Sequence, residues 1–323
     1  MKMIKSALLG TALLTLATTI ASAADNRSYV AGHFILNLDS ANTGLLNTVS
    51  GGGVSADVLQ EQDGTTYFAK KHIGQPKYED FSMDVGFGMS KPFYDWISDA
   101  FDGKATRKNG AIIMADYNFA ELQRATFQNA LIGEVTIPAC DGSAKDAAYL
   151  TVKFLPELTK WVPSNGTKTT SALGNAKQKL WVPSNFRLEI PGLDCTRVSK
   201  IEAITVKQKI VENSVGQARN YQIEPTSLEF PNLVITLSTA SASAWTAWSD
   251  DFIVAGKNTF DFEKKGTLTL LSPDLKEELA RVSLFGLGIS RLTRSLATGV
   301  PTITVELYVE RMEIDFMAQF EKN

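Results

Sequence analysis

Few side chains in this chain of 323 residues could carry acid–base, nucleophilic or metal chemistry. His33 lies in a predicted strand and His72 in a polar stretch, and neither has an evident partner that would orient it as a base. Asp95 and Asp99 lie one turn apart on a predicted helix, where paired carboxylates are usually solvated. Two histidines and two scattered cysteines do not make a zinc site, and the glycines at 51–53 lack the spacing of a nucleotide-binding loop. The sequence therefore indicates a protein that is not an enzyme, with no catalytic residues, metal or cofactor.

The elements that would position these residues occur twice in the chain. Four segments recur in the same order, 152 to 157 residues later: 34–36 as 186–188, 96–99 as 248–251, 122–126 as 279–283, and 149–152 as 302–305. We interpret this as a tandem repeat, with domain 1 at 24–157 and domain 2 at 185–323. Trp96 and Trp248 hold matching places among apolar helix neighbours, so we predict that both are structural anchors in the core.

The amino terminus has the pattern of a secretory signal peptide. Lys2 and Lys5 precede an apolar run at 7–20, and Ala-Ser-Ala at 21–23 supplies a cleavage site, so the mature chain is predicted to begin at Ala24. An uncleaved anchor is the alternative, but the run is short for a membrane span. No later segment of the sequence is long and apolar enough to cross a membrane. The protein is therefore predicted to be exported, to the periplasm or beyond.

The charge of the mature chain argues against nucleic-acid binding. Removing Lys2 and Lys5 leaves 30 basic against 35 acidic residues, without a basic cluster. Cys140 and Cys195 hold non-matching places in the two repeats, so they are not a duplicated metal half-site. In an oxidising compartment they could form one disulfide; two independent free thiols are the alternative, because a sequence does not supply the Cα separation.

Each repeat is predicted to be mainly β with one helix. Residues 81–87 and 233–237 alternate apolar and polar side chains, as a half-buried strand does. A helix follows in each repeat, and strand-rich segments come after it: 111–115, 122–131 and 148–155 in repeat 1; 267–271, 279–287 and 302–309 in repeat 2. Strands so far apart must close on one another, which favours a small β-barrel or sandwich capped by the helix. After Val309 the apolar positions change parity, which predicts a bulge or bend near 310–311.

A linker is predicted at 158–184, because its centre at 165–174 is rich in Ser, Thr and Gly. Trp-Val-Pro-Ser-Asn occurs on both sides of it, beginning at Trp161 and at Trp181. A repeated docking segment, in which each Trp binds the neighbouring domain, and a chance local duplication are both open interpretations.

Residues 70–82, with the sequence KKHIGQPKYEDFS, resemble the stretch that precedes a core strand in tail-tube proteins of contractile phages. In that family a Trp-bearing helix follows, and Trp96 fills its place; strands resembling 108–117 and 122–130 come next. The second copy is less similar. It loses the Lys-Tyr turn but keeps five elements: 233–237, Trp248, 266–271, 281–287 and 305–309.

The resemblance implies two tandem tail-tube-like β-barrel domains, related to the tubes of type VI secretion systems. Subunits of this family usually form six-membered rings that stack into a hollow tube, so it also implies self-association and other phage-tail-like components as partners. Three copies of a two-domain chain would then close a pseudo-six-fold ring. The chain departs from the family in two features. Family subunits have one domain, whereas this chain is predicted to have two. Family subunits assemble in the cytoplasm, whereas this chain carries a predicted export signal.

Two functions therefore compete. The first is a structural protein that forms rings or tubes, which would assemble in the cytoplasm if the signal were not used. The second is an exported binding module that keeps the fold as a monomer. A third function, that of a secreted hydrolase, has no support, because the sequence offers no arrangement of a base, a metal site or a nucleophile.

Overall fold

The computed structural model describes residues 32–62, 64–164, 166–169, 180–214, 219–295 and 300–317. The predicted signal peptide and most of the Ser/Thr/Gly-rich segment lie outside these ranges. The fold is mainly β with one α-helix in each half, as the sequence predicts. The first half contains β1 (His33–Leu38), β2 (Ala41–Gly51), β3 (Val54–Glu61), β4 (Lys70–Tyr78), β5 (Phe81–Val85), α1 (Lys91–Phe101), β6 (Lys108–Ala115), β7 (Glu121–Ile137), β8 (Cys140–Asp141), β9 (Leu150–Leu155) and β10 (Leu158–Pro163).

The second half has a similar order of elements, without counterparts of the short strand β8 and of β10. It contains β11 (Phe186–Glu189), β12 (Val198–Ile201), β13 (Ile204–Asn213), β14 (Gln222–Glu229), β15 (Leu233–Ser238), α2 (Ser243–Ser249), β16 (Lys264–Leu271), β17 (Glu278–Arg294) and β18 (Thr302–Phe316). Helix α2 continues as a π-helical turn, Asp250–Val254. Neither helix, nor any other helix in the described ranges, has the length and hydropathy that a membrane span requires.

Six strands of the first half close into a barrel, which we call the first barrel. Their order is β7-β6-β1-β2-β5-β9, and β9 pairs again with β7. Strand β10 lies beside the amino-terminal half of β7. Residues 158–163, which the sequence analysis placed in the linker, therefore continue the sheet of the first half.

The second half forms a barrel-like sheet that is open at one seam. Its strand order is β11-β16-β17-β18-β15-β12-β8, and no pairing joins β11 to β12 among the described residues. Both strands have only four residues, and Pro191 after β11 has no N–H to extend a ladder. The last strand of the sheet, β8, comes from the first half and pairs with β12. We call this sheet the second barrel.

One continuous apolar core runs through both halves. Strands β5 and β15 bury every second side chain, which is the alternation seen in the sequence. Helix α1 also contacts the second half: Tyr94 stacks on Phe316 with ring centroids 4.2 Å apart, and the Ser98 hydroxyl donates to the Ile314 carbonyl at 2.9 Å. The halves therefore pack together along α1 and β18.

Strand β18 changes its buried face in mid-course. Odd positions are buried up to Val309, and even positions are buried from Met312 onward. Two consecutive exposed residues, Glu310 and Arg311, lie at the change. The parity shift in the sequence thus corresponds to a change of buried face within one long strand, whose pairing with β17 keeps one register from Val309 to Met312. The pairing therefore shows no bulge at the predicted position.

Candidate functional site

Strands β13 and β14, which we call hairpin 2, leave the second half and extend the sheet of the first barrel. Residues Ile204–Lys207 of β13 pair antiparallel with residues 134–137 of β7. Ile204 and Val206 are 2% and 3% exposed, because both insert their side chains at this junction. An open edge of a sheet is commonly covered by another segment of the protein, and here β13 covers the edge of β7. Hairpin 2 therefore joins the halves by exchanging a strand.

Polar contacts fasten the outer strand of hairpin 2 to the first barrel. The Ile223 N–H donates to Glu157 Oε1 at 3.0 Å, and Asn129 Nδ2 donates to Glu157 Oε2 at 2.7 Å. Arg107 Nη2 donates to the Ile223 carbonyl at 2.5 Å and lies 2.9 Å from Glu224 Oε1. Charge-assisted hydrogen bonds of this kind orient a docked segment.

Strands β3 and β4, which we call hairpin 1, occupy the corresponding place in the first half but join no larger sheet among the described residues. The side chain of Val54 is 65% exposed and that of Ile73 is 63% exposed. The base of hairpin 1 touches the tip of hairpin 2: Tyr78 Oη lies 3.3 Å from Asn220 Oδ1. Hairpin 1 thus presents apolar strand surface to solvent.

The edge that would match the docking edge of β7 is open in the second half. Strand β17 pairs with β16 on one side only as far as Leu287, and with β18 along the other side. No described strand pairs with the first side at residues 288–294, which we call edge 2. The residue that corresponds to the buried Ile137 is Arg294, which is exposed.

The two receiving strands correspond residue by residue. Both have 17 residues, and a Glu–Arg ion pair three residues apart begins each: Glu121 with Arg124, and Glu278 with Arg281. Each bends at a positive φ, at Asn129 (φ 50°) and at Gly286 (φ 60°). The residues at the two bends also lie beside corresponding glutamates. Asn129 Nδ2 donates to Glu157 Oε2 at 2.7 Å, and a Cβ on Gly286 would lie 2.4 Å from Glu310 Oε2.

The predicted anchors Trp96 and Trp248 differ in their surroundings. Trp96 is 1% exposed, and its Nε1 donates to the Thr106 carbonyl at 2.9 Å. Trp248 is 8% exposed, and its indole N–H has no hydrogen-bond partner among the described residues. Trp245, which is fully buried, donates its indole N–H to the Asp194 carbonyl at 3.0 Å. In the second half, the helix α2 therefore buries two tryptophans, Trp245 and Trp248.

The two Trp-Val-Pro-Ser-Asn segments have unlike environments. Trp181 is fully buried, and its ring meets Phe87 of the first half edge-on, with centroids 6.0 Å apart. Trp161 lies on β10, is 41% exposed, and donates its indole N–H to the Gly52 carbonyl at 3.0 Å. Trp181 therefore packs against a residue that lies on the other side of the Ser/Thr/Gly-rich segment.

Cys140 and Cys195 are free thiols. Burial raises the pKa of the Cys140 thiol to about 12, and burial likewise raises the pKa of the half-buried Cys195 thiol. Cys140 lies on β8, where it pairs with Ile201 of the second half. Both thiols are protonated at neutral pH, so neither has the thiolate character of a reactive cysteine.

The residues considered for acid–base chemistry do not converge. His33 stacks on Phe119 with ring centroids 4.1 Å apart, whereas His72 is exposed on hairpin 1, 3.7 Å from Glu61. Burial opposes ionisation of Asp99, but hydrogen bonds from Lys104 and Thr106 outweigh it and lower the pKa of that carboxyl. Within the described ranges, no three His, Cys, Asp or Glu side chains group so as to hold a metal ion.

A cavity of about 600 Å³ lies at the open seam between β11 and β12. Asp194 lines it, and hydrogen bonds from Ser241 and Thr196 lower the pKa of this carboxyl to about 2. Cys195 lines the cavity too. A fixed carboxylate beside a protonated thiol offers a polar contact for a ligand, but it does not provide a base or a nucleophile at neutral pH.

Residues 30–157 match the family described as T4-like virus tail tube protein gp19. The match lies within the first half of the chain. The matched residues end between β9 and β10. No curated protein sequence matches the chain.

Several solved structures are also similar to part of the chain. The sheath–tube complex of the PVC extracellular contractile injection system and the tube-terminating cap of the anti-feeding prophage each contain a chain that is 20% identical; the match covers 46% of this chain and 100% of that one, with a TM-score of 0.39. Hcp1 from Flavobacterium johnsoniae is 12% identical over 42% of this chain and 98% of its own, with a TM-score of 0.25.

Sequence reasoning did not find the strand exchange. The residues that carry it include Val206 and Ile223 of hairpin 2 and Arg107 and Glu157 of the first barrel. A usable signal was present, because Ile204 and Val206 alternate with polar residues as a half-buried strand does. The pattern indicates a buried face but does not identify the sheet that covers it.

Proposed function

We propose that the protein is a structural, non-enzymatic subunit that self-associates into rings or tubes, in the manner of tail-tube proteins. The observation that carries this proposal is the docking of hairpin 2 on the first barrel. It joins two barrels through a continuous sheet, which is a contact that can recur between copies. The tail-tube match of residues 30–157 supports the same conclusion. Its partners are then further copies of itself and other phage-tail-like components.

We infer further that the chain is a tandem duplication of one tail-tube-like domain. The matching ion pairs and positive-φ residues of β7 and β17 support this inference, as does the shared order of elements. If single-domain relatives close rings of six, three copies of this chain would complete the same circle. Homo-oligomers tend towards closed symmetry, and a head-to-tail contact closes only at the right rotation.

Native mass spectrometry of the mature protein tests the assembly. We expect a trimer at micromolar concentration, with rings visible by negative-stain electron microscopy. A strict monomer at high micromolar concentration would contradict the proposed function.

An exported binding module that remains monomeric is the second candidate. The seam cavity with its fixed Asp194 carboxylate favours it, since such a cavity could hold a small polar ligand. The two candidates differ in self-association. A monomer whose Asp194→Asn variant loses binding of a ligand would favour the second candidate over the first.

Export is expected to remove residues 1–23, which places the protein in the periplasm or outside the cell. The expectation rests on the basic, apolar and small-residue order of the amino terminus. Intact-mass measurement of protein from the cell envelope should give a chain that begins at Ala24. Full-length protein recovered from the cytoplasm would instead support a cytoplasmic tail-like assembly.

A further inference from the structure

We propose that hairpin 1 of one copy docks on edge 2 of a second copy and there repeats, between chains, the contact that hairpin 2 makes within the chain. This inference rests on the proposed function and names its interface. The described residues of each chain include one free hairpin and one open edge, so every copy would give a hairpin to one neighbour and receive one from another. Such a contact is head-to-tail and can close into a ring.

Corresponding positions set the register of the new contact. In the chain, Val206 lies opposite Val135, and Lys207 lies opposite Glu134. The two hairpins are aligned by their internal pairing: Ser55 pairs with Lys77 in hairpin 1, and Lys207 pairs with Glu229 in hairpin 2. In this alignment, Val54 and Ser55 correspond to Val206 and Lys207. Counting from the Glu–Arg pairs that begin β7 and β17, Leu292 and Arg291 correspond to Val135 and Glu134. Val54 is therefore expected opposite Leu292, and Ser55 opposite Arg291.

Burial at these positions differs as the proposal requires. Val206 is 3% exposed, because hairpin 2 is docked, whereas Val54 at the corresponding place is 65% exposed. Val135 is buried on β7, but Leu292 is only half-buried on β17. Docking would cover the apolar side chains that both surfaces now expose, which is favourable at about 25 cal/mol for each Å² of apolar surface removed from water.

Charges on the hairpin strands are reversed between the two contacts. Hairpin 2 carries Lys207 and Lys209 on its inner strand, and Lys207 Nζ lies 3.8 Å from Glu134 Oε2 of the receiving strand. Edge 2 carries Arg291 in place of Glu134, and hairpin 1 carries Asp57 in place of Lys209. Ser55, at the position of Lys207, is uncharged, and Asp57 lies two residues further on the same face of the strand. An acidic inner strand on hairpin 1 would thus approach a basic receiving edge, the reverse of hairpin 2.

The ion pair inside each hairpin is inverted in the same way. Lys209 on the inner strand pairs with Glu229 on the outer strand of hairpin 2. In hairpin 1, Asp57 on the inner strand pairs with Lys77 on the outer strand, with Nζ and Oδ2 2.7 Å apart. Two hairpins that bound the same edge would not need opposite charges, so the inversion points to two different receiving surfaces.

The outer strand of hairpin 1 also matches the acidic side of the second barrel. Ile223 and Glu224 of hairpin 2 lie against Glu157 and Arg107 of the first barrel. The corresponding residues of hairpin 1 are Lys71 and His72, and those of the second barrel are Glu310 and Glu263, so the Lys71 ammonium of hairpin 1 would lie beside the Glu310 carboxylate. Lys71 and Glu310 are both exposed in the single chain.

The apolar tip of hairpin 1 gains a cover in the same arrangement. Within the chain, the tip of hairpin 2 lies against the base of hairpin 1, where Asn220 meets Tyr78. By correspondence, the tip of hairpin 1 would lie against the base of hairpin 2 in the neighbouring copy, near the half-buried Phe230. Tyr67 and Phe68 at this tip are 98% and 56% exposed in the single chain.

Cysteine cross-linking tests the register directly. In a Cys195→Ser background, the mature protein would carry Ser55→Cys together with Arg291→Cys, and mild oxidation should produce disulfide-linked multimers on a non-reducing gel. Lys207→Cys with Glu134→Cys is the positive control, because these positions already lie opposite each other within the chain. Val58→Cys with Arg291→Cys is the off-register control, since three residues along a strand place the thiols about 10 Å apart, beyond the reach of a disulfide.

We expect the Ser55/Arg291 variant to give at least about tenfold more linked multimer than the off-register control. Multimers in native mass spectra without this cross-link, while the positive control links, would overturn the interface and leave the proposed function standing. A protein that stays strictly monomeric at high micromolar concentration would overturn both.

Discussion

Replacing Trp96 by Ala is expected to lower the free energy of unfolding by about 3–5 kcal/mol. The indole is 1% exposed and lies beside Phe154, with ring centroids 5.6 Å apart, so truncation leaves a cavity at the centre of the first barrel. The change also leaves the Thr106 carbonyl without the hydrogen bond that it accepts from Nε1. Equilibrium urea denaturation, monitored by circular dichroism, measures the loss.

Trp161→Ala is the matched control, because this Trp lies on the same barrel but is 41% exposed. It is expected to cost less than half as much. The phenylalanine variants separate packing from hydrogen bonding: Trp96→Phe should destabilise the protein more than Trp248→Phe, since only the Trp96 indole N–H has a partner among the described residues. Equal losses for Trp96→Ala and Trp161→Ala would show that Trp96 is not an anchor.

Replacing Val206 by Asp is expected to release hairpin 2 from the first barrel. Val206 is 3% exposed opposite Val135, so the variant would bury a carboxylate without a partner, at a cost of about 3–5 kcal/mol. Detachment returns the carboxylate to water. We expect limited proteolysis within residues 207–229 to become at least about a hundredfold faster, because each 1.4 kcal/mol is about a factor of ten in the open population. Hydrogen exchange at residues 134–137 of β7 should accelerate in parallel.

Val54→Asp is the corresponding change on hairpin 1, and it separates the two hairpins. Because Val54 is 65% exposed, this variant should leave the free energy of unfolding of the dilute monomer within about 0.5 kcal/mol of the parent protein. Its proteolysis rate should stay within about threefold of the parent rate. It should nevertheless weaken the assembly, since docking on edge 2 would bury the new carboxylate. Unchanged assembly of Val54→Asp would contradict the docking of hairpin 1, and unchanged proteolysis of Val206→Asp would contradict the strand exchange.

Much of the local structure follows from the sequence alone. The alternation at 81–87 and 233–237 locates the strands β5 and β15, because a strand with one buried face needs an apolar residue at every second position. The parity change after Val309 locates the change of buried face in β18 for the same reason. The resemblance of the first half to tail-tube proteins was also visible in the residues themselves, and the family match covers the same part of the chain.

Only the tertiary structure decided which strands pair. Backbone hydrogen bonds carry no side-chain identity, so the alternation of Ile204 and Val206 shows that β13 is half-buried but does not select β7, about 70 residues earlier, as its partner. The same limit applies to β10, which joins the first sheet from within the predicted linker, and to β8, which joins the second. A sequence specifies the buried face of each strand locally, whereas its neighbour depends on contacts that form only when distant segments pack together.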